Sequence, residues 1–180
     1  MKIACFHLMP YRDLDDDFEK KYPSSWFSLP FSEVADRQKV SQYFNWTLDE
    51  LTFAAESGFD GVCTNEHHQN AYGFMVNPNL MGSVLARATR GTDTAIIQMG
   101  ETAVFLNPPI RVAEEYAMLD AISEGRLVAG FPVGLGGDFS YSYGMAPMEQ
   151  RARYYEAHDL IKKAWTATEG FAWNGTYYQL

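Results

Sequence analysis

Three short runs carry side chains that could do chemistry. The first is Asn65-Glu66-His67-His68. Histidine is the side chain suited to moving a proton near neutral pH, so an imidazole here is a candidate general acid or base. On an extended segment successive side chains point to opposite faces. Asn65 and His67 are therefore expected on one face, and Glu66 and His68 on the other. That makes His67 the candidate catalytic group and sends His68 in among the helices. Two diverging imidazoles cannot readily chelate one ion, and His7 and His158 complete no His/Cys cluster, so no metal is expected. The second run is Gly100-Glu101-Thr102-Ala103, whose glycine lets the backbone approach a ligand. The third, Gly134-Leu135-Gly136-Gly137-Asp138, precedes Tyr141 and Tyr143. It lacks the G-x-G-x-x-G spacing and the lysine of a phosphate loop, and by itself reads equally well as a flexible loop. Asp13, Asp15 and Asp17 alternate as in a calcium loop, but Phe18 and Ser24 stand where such a loop needs glycine and glutamate. A solvated acidic turn is expected there.

The elements that must position these runs follow from periodicity. Residues 2–9 form an apolar run stopped by Pro10 and read as a buried strand. Thr47-Leu48-Asp49-Glu50 has the spacing of a capping box, which predicts a helix start there; Ser57-Gly58 stops that helix. Residues 61–65 read as strand, 79–90 as helix and 94–99 as strand. Pro109 introduces a helix over 110–124 that Gly125 ends, and residues 126–133 read as a fourth strand. A fourth helix is expected over 148–167. Residues 171–180 alternate around Asn174-Gly175, a two-residue hairpin signal.

Four strand-then-helix units imply an α/β fold with parallel strands and right-handed crossovers. Periodicity does not choose between an open, doubly wound sheet and a closed barrel. A barrel takes about 250 residues, so a chain of 180 is expected to be part of one. In either fold, ligands gather beyond the carboxyl ends of the strands, where all three runs fall. The connection over 10–46 is far longer than usual and rich in aromatics, Trp26 and Phe27 among them. It reads equally as a lid or as a small core carried by the loop.

Composition bounds the rest. With 47% hydrophobic residues, 180 positions suit one domain. A net charge of −9 repels phosphate backbones and argues against nucleic acid as a partner. Cys5 and Cys63 fall in strand-like runs and read as buried free thiols. No apolar run approaches the roughly 20 residues of a membrane span, and residues 1–10 lack the features of a signal peptide. A soluble, cytoplasmic protein is expected.

In order, Glu66-His67-His68, Asn77-Pro78, the run Pro109-Ile110-Arg111-Val112-Ala113-Glu114-Glu115, Leu119-Asp120, Ser123-Glu124-Gly125-Arg126 and Gly175-Thr176-Tyr177-Tyr178 resemble bacterial luciferase and its flavin monooxygenase relatives. The resemblance covers most of the chain outside 10–46. It implies a (β/α)₈ barrel of the TIM type, of which residues 1–180 are the N-terminal half, with about four βα units and a hairpin. It also implies reduced FMN supplied by a flavin reductase, molecular oxygen, a small organic substrate, and a homo- or heterodimer. His67 matches the family's active-site histidine, implicated in proton transfer. Gly100, Glu101 and Thr102 lie where relatives run a strained strand beneath the flavin ring, and Phe131, Pro132 and Asp138 where they line the flavin pocket. Val133 departs from luciferase, which carries a flavin-binding arginine there, and the rest of the phosphate site belongs to later strands. Arg111, Glu114, Asp120 and Arg126 are expected to pair with one another or cap helices. Two alternatives share the barrel: hydride transfer with the deazaflavin F420, and a flavin-binding protein without catalysis.

Overall fold

The computed structural model describes residues 1–25, 29–102 and 108–180. Four strands, β1 (Ala4–Phe6), β2 (Gly61–Thr64), β3 (Ala95–Gln98) and β4 (Leu127–Ala129), form one parallel sheet in the order β1-β2-β3-β4. Register is continuous across it, with Cys5 beside Val62, Val62 beside Ile96 and Ile96 beside Leu127. The order never reverses, so there is no switch point of the kind a doubly wound sheet needs. Among the described residues seven helices accompany the strands. They are α1 (Phe18–Lys21), α2 (Phe31–Val34), α3 (Arg37–Glu56), α4 (Pro78–Ala88), α5 (Ile110–Ile122), α6 (Gly136–Ser142) and α7 (Pro147–Thr166). Of these, α3 packs on α4, α4 on α5 and α5 on α7, a single helical layer in chain order. A sheet wound in one direction behind one helical layer is the arrangement of a barrel wall.

The core sits between sheet and helices, where Leu51, Val62, Leu85, Ile96 and Leu119 are almost wholly buried. A second cluster joins Val112 and Tyr116 of α5 to Leu160 and Ile161 of α7 and to Tyr178. The helix ends are built by identifiable side chains. The Asn77 carboxamide accepts the Leu80 N–H at 2.9 Å at the head of α4, with Pro78 in the first turn. Glycines at φ +91° (Gly58) and +82° (Gly125) end α3 and α5. Arg126 pairs with none of the expected acids; its guanidinium caps α4 and α5 through the Ala86, Ser123 and Thr94 carbonyls and the Thr89 hydroxyl. Arg111 instead pairs one turn along its own helix with Glu115, at 2.7 Å.

Three readings of the sequence are corrected. The first long helix begins at Arg37, ten residues before the capping-box pattern. Asp36 is its true cap, its carboxylate accepting the N–H groups of Gln38 at 2.7 Å and Lys39 at 3.4 Å. Thr47 is buried in the middle of α3, and Glu50 reaches outward to Arg12 and His7. The glycine-rich run after β4 enters the helix α6 at Gly136 and is a loop only at Gly134 and Leu135. In the last ten residues the turn lies over 175–178, with the Gly175 N–H on the Tyr178 carbonyl and Trp173 paired to Leu180, rather than at Asn174-Gly175. The Glu156 carboxylate moves it there by accepting the N–H groups of Thr176, Tyr177 and Tyr178 and the Trp173 indole.

The segment between β1 and α3 joins a cluster shared with other elements. Its Met9 and Tyr11 pack with Tyr43 of α3, Phe74 and Met75 of the loop after β2 and Met81 of α4, and main-chain bonds from Tyr11 to Ala71 and from Phe74 to Met9 dock it against that loop. Trp26 and Phe27 lie outside the described residues. Asp15 and Asp17 pair with Lys21, and Asp13 with Lys39 and the Tyr43 hydroxyl. Cys5 and Cys63 are free thiols. Among the described residues no helix is long and apolar enough to cross a membrane.

Candidate active site

Parallel strands aim their carboxyl ends the same way, so the segments after β1 to β4 converge. They enclose a cleft of about 300 Å³ lined by Phe6, Asn65, Glu66, His67, Met99, Gly100, Thr102, Pro132, Gly134, Leu135 and Asp138. A larger hollow, about 730 Å³, runs between α4 and α5 on the far side of the helical layer. It holds no imidazole, whereas the cleft brings together an imidazole, two carboxylates and a glycine floor at the strand ends.

His67 is held from three sides. Its main-chain N–H donates to Met75 at 3.0 Å, and Gly73 passes so close that an added Cβ would come within 2.7 Å of the His67 Cβ. Its Nδ1 lies 3.2 Å from Oδ2 of Asp138, the first-turn acid of α6, which is itself 3% exposed. A carboxylate can only accept, so this contact places an imidazole proton on Nδ1. The other Asp138 oxygen takes the His68 N–H at 3.4 Å.

The alternation expected over residues 65–68 is absent because β2 ends at Thr64. Glu66 lines the cleft beside His67 rather than facing away from it. One Glu66 oxygen accepts the Thr102 N–H at 2.9 Å and the Thr102 hydroxyl at 3.3 Å; the other takes His68 Nε2 at 2.9 Å. The His68 ring meets Tyr143 edge-on, with centroids 5.2 Å apart. Burial, with the Glu66 charge beside it, pushes the Tyr143 hydroxyl up, so it remains a neutral phenol.

Of the other residues singled out from sequence, Gly100, Thr102, Pro132 and Asp138 line the cleft with His67. Gly100 has a steric reason to be glycine: a Cβ there would collide with the main chain of Asn65 and Glu66. Glu101 and Phe131 lie elsewhere. Glu101 points away from the cleft to Asn79, and the Phe131 ring packs against Tyr116, His158 and Trp165. Sequence reasoning set Asn65 on the His67 face but missed Glu66 as a lining group, and the apolar walls Phe6, Met99 and Leu135. The adjacency of Glu66 to His67 was the available signal for the acid; nothing local marked the walls.

The profile of the luciferase-like monooxygenases matches residues 24–180. This chain belongs to that family. Its relatives include the oxygenase component of a flavin-dependent trigonelline monooxygenase from Acinetobacter baylyi, 30% identical over 81% of this chain and 40% of the relative. Among solved structures, a monooxygenase from Streptomyces bottropensis superposes with a TM-score of 0.77 at 26% identity, over 100% of this chain and 47% of that one. The oxygenating constituent of 3,6-diketocamphane monooxygenase from Pseudomonas putida, solved with FMN, gives a TM-score of 0.76 at 19% identity, over 100% and 43%. The chain thus spans less than half the length of these relatives, and its fold is the corresponding part of a (β/α)₈ barrel.

Proposed function

We propose that this chain is the proton-handling part of a flavin-dependent monooxygenase that uses reduced FMN and molecular oxygen to oxidise a small organic molecule. The observation that carries the reading is the His67–Asp138 pair at the strand ends of a luciferase-family barrel wall. The cleft suits a flavin ring. Its walls are apolar at Phe6, Met99, Pro132 and Leu135, and Gly100 keeps the floor flat. The Asn65 side-chain oxygen, on a residue 4% exposed, has no protein partner among the described residues and is an acceptor for a ligand N–H. No lysine or arginine is among the lining residues, so the group seated here is the ring rather than a phosphate.

Bound reduced flavin would supply the activation of oxygen, which no side chain can perform. The chain's own residues do the rest. The His67 imidazole takes up or gives back a proton while Asp138 orients the ring. Glu66 pins the Thr102 N–H beneath the ring, and the apolar walls exclude water. A separate reductase delivers the reduced flavin, in keeping with a relative described as an oxygenase component.

The test uses the full-length protein, loaded anaerobically with reduced FMN and then mixed with air. Tight binding of reduced FMN and a return of oxidised-flavin absorbance clearly slower than for free flavin are expected. Reoxidation at the free-flavin rate would reduce the protein to a flavin carrier. Reduction of F420 by a secondary alcohol, with no oxygen consumed, would replace the proposal with hydride transfer.

A further inference from the structure

Behind the cleft floor, Glu101 is 3% exposed and sits where the end of β3 meets α4 and α5. The Asn79 side-chain amide donates both to Glu101 and, at 2.9 Å, to Glu115 of α5. One amide nitrogen thus bridges the two carboxyls. We infer that Glu101 and Glu115 share one proton beside the Asn79 amide, and that this acid pair is a positioning device fixing residues 100–102 under the cleft.

The supply of donors carries the argument. The cluster holds four carboxyl oxygens, and the donors that reach them are the Asn79 amide, which serves both acids, and the Arg111 Nε–H, which goes to Glu115 at 2.7 Å. Among the described residues no cation pairs with Glu101, and a proton held between the two carboxyls supplies a donor to its buried oxygens. The neighbouring groups agree. Glu66, after β2, and Glu115 both face Glu101 with negative charge, and the Tyr116 hydroxyl is spent on the Gly130 carbonyl at 2.8 Å. Arg111 sits on the outer side of Glu115 and is itself largely exposed. Burial first, and then the charges of Glu115 and Glu66, push the Glu101 carboxyl up to about 8.

The cleft floor is thus gripped from two sides. On the cleft side Glu66 holds the Thr102 N–H and hydroxyl, and on the helix side the acid pair holds Glu101. Loss of the shared proton leaves a buried Glu101 carboxylate repelling that of Glu115, which pushes the end of β3 away from α5. A carboxyl raised in the folded state binds a proton that the unfolded chain has already lost. Stability therefore falls as pH rises from the ordinary glutamate range of about 4.3 towards about 8, and is level above that.

The consequence for flavin rests on the proposed function; the shared proton does not. The experiment compares the full-length wild-type protein with Glu101→Gln, whose amide mimics the protonated acid, and with Glu115→Gln, which neutralises the other partner. Tm without flavin and the Kd for FMN are both measured from about pH 4 to about pH 9, spanning the two titrations. In the wild type, Tm should drop by several degrees and FMN affinity should weaken severalfold towards alkaline pH. Glu101→Gln should flatten both profiles, and Glu115→Gln, which leaves Glu101 buried, should make both shallower. A Tm slope unchanged from wild type in both variants overturns the shared proton. A flattened Tm slope with an unaltered FMN profile overturns the positioning role. FMN binding absent at every pH in every variant counts against the proposed function, while the Tm arm still decides the proton.

Discussion

At the scale of single residues, the cleft depends on two contacts that leave no room for adjustment. Gly100 passes against the main chain of Asn65 and Glu66, so Gly100→Ala forces β2 and β3 apart at their carboxyl ends. Overpacking of this kind costs about 1–3 kcal/mol. It should show as a lowered Tm together with weakened FMN binding, because the displaced backbone is the cleft floor. His68 is the second case. Its sequence position suggests a packing role, but its Nε2 is on Glu66 at 2.9 Å, and Glu66 in turn holds Thr102. His68→Ala should therefore weaken FMN binding as well as stability, where a purely packed side chain would change Tm alone. His67 was legible because imidazole at the end of a parallel strand is unusual chemistry in a known place. Glu66 was not, because the period-two rule holds only while the strand lasts, and β2 stops at Thr64.

At the scale of elements, the sequence marks where helices stop more clearly than where they start. Gly58 and Gly125 stand at positive φ just past α3 and α5, a backbone state glycine adopts without strain, and Glu124 shares it beside Gly125. The start of α3 is obscured because Thr47 and Glu50 reproduce a capping box inside a helix that is already under way. Asp36, the working cap, has no glutamate three residues on to advertise it. Asp36→Ala should cost about 1 kcal/mol, the usual worth of such a cap, and amide exchange should quicken over residues 37–40. Glu50→Ala should leave exchange at the helix start unchanged, since its carboxylate serves Arg12 and His7. The same reasoning explains the last ten residues. Asn174-Gly175 is a sound local turn signal, overridden by one glutamate on α7 that offers its carboxylate to three consecutive N–H groups.

At the scale of the molecule, consecutive strand order and a single helical layer make this chain a wall rather than a closed barrel. Among the described residues β1 pairs only with β2, and β4 only with β3, so each presents an edge. Phe6 and Val128 on those edge strands are about half exposed, at 49% and 48%. Open apolar edges recruit other strands. Residues 1–180 expressed alone should therefore self-associate, and Val128→Lys should shift sedimentation towards monomer; a wild-type chain that sediments as a monomer would contradict this reading of the edges. The barrel geometry was foreseeable from four repeated units, but its choice over an open sheet required the strand order, which periodicity does not encode. The central claim, that reduced flavin reacts at a cleft where His67 moves the proton, is tested most directly by His67→Ala in the full-length protein. FMN affinity and the oxidation of bound reduced FMN on mixing with air are followed in wild type and variant. FMN affinity should stay within severalfold, because the ring is held by floor and walls. The oxidation rate should change by at least about tenfold, the low end of what a positioned acid or base contributes. An oxidation time course identical to wild type, with FMN still bound, would contradict the account.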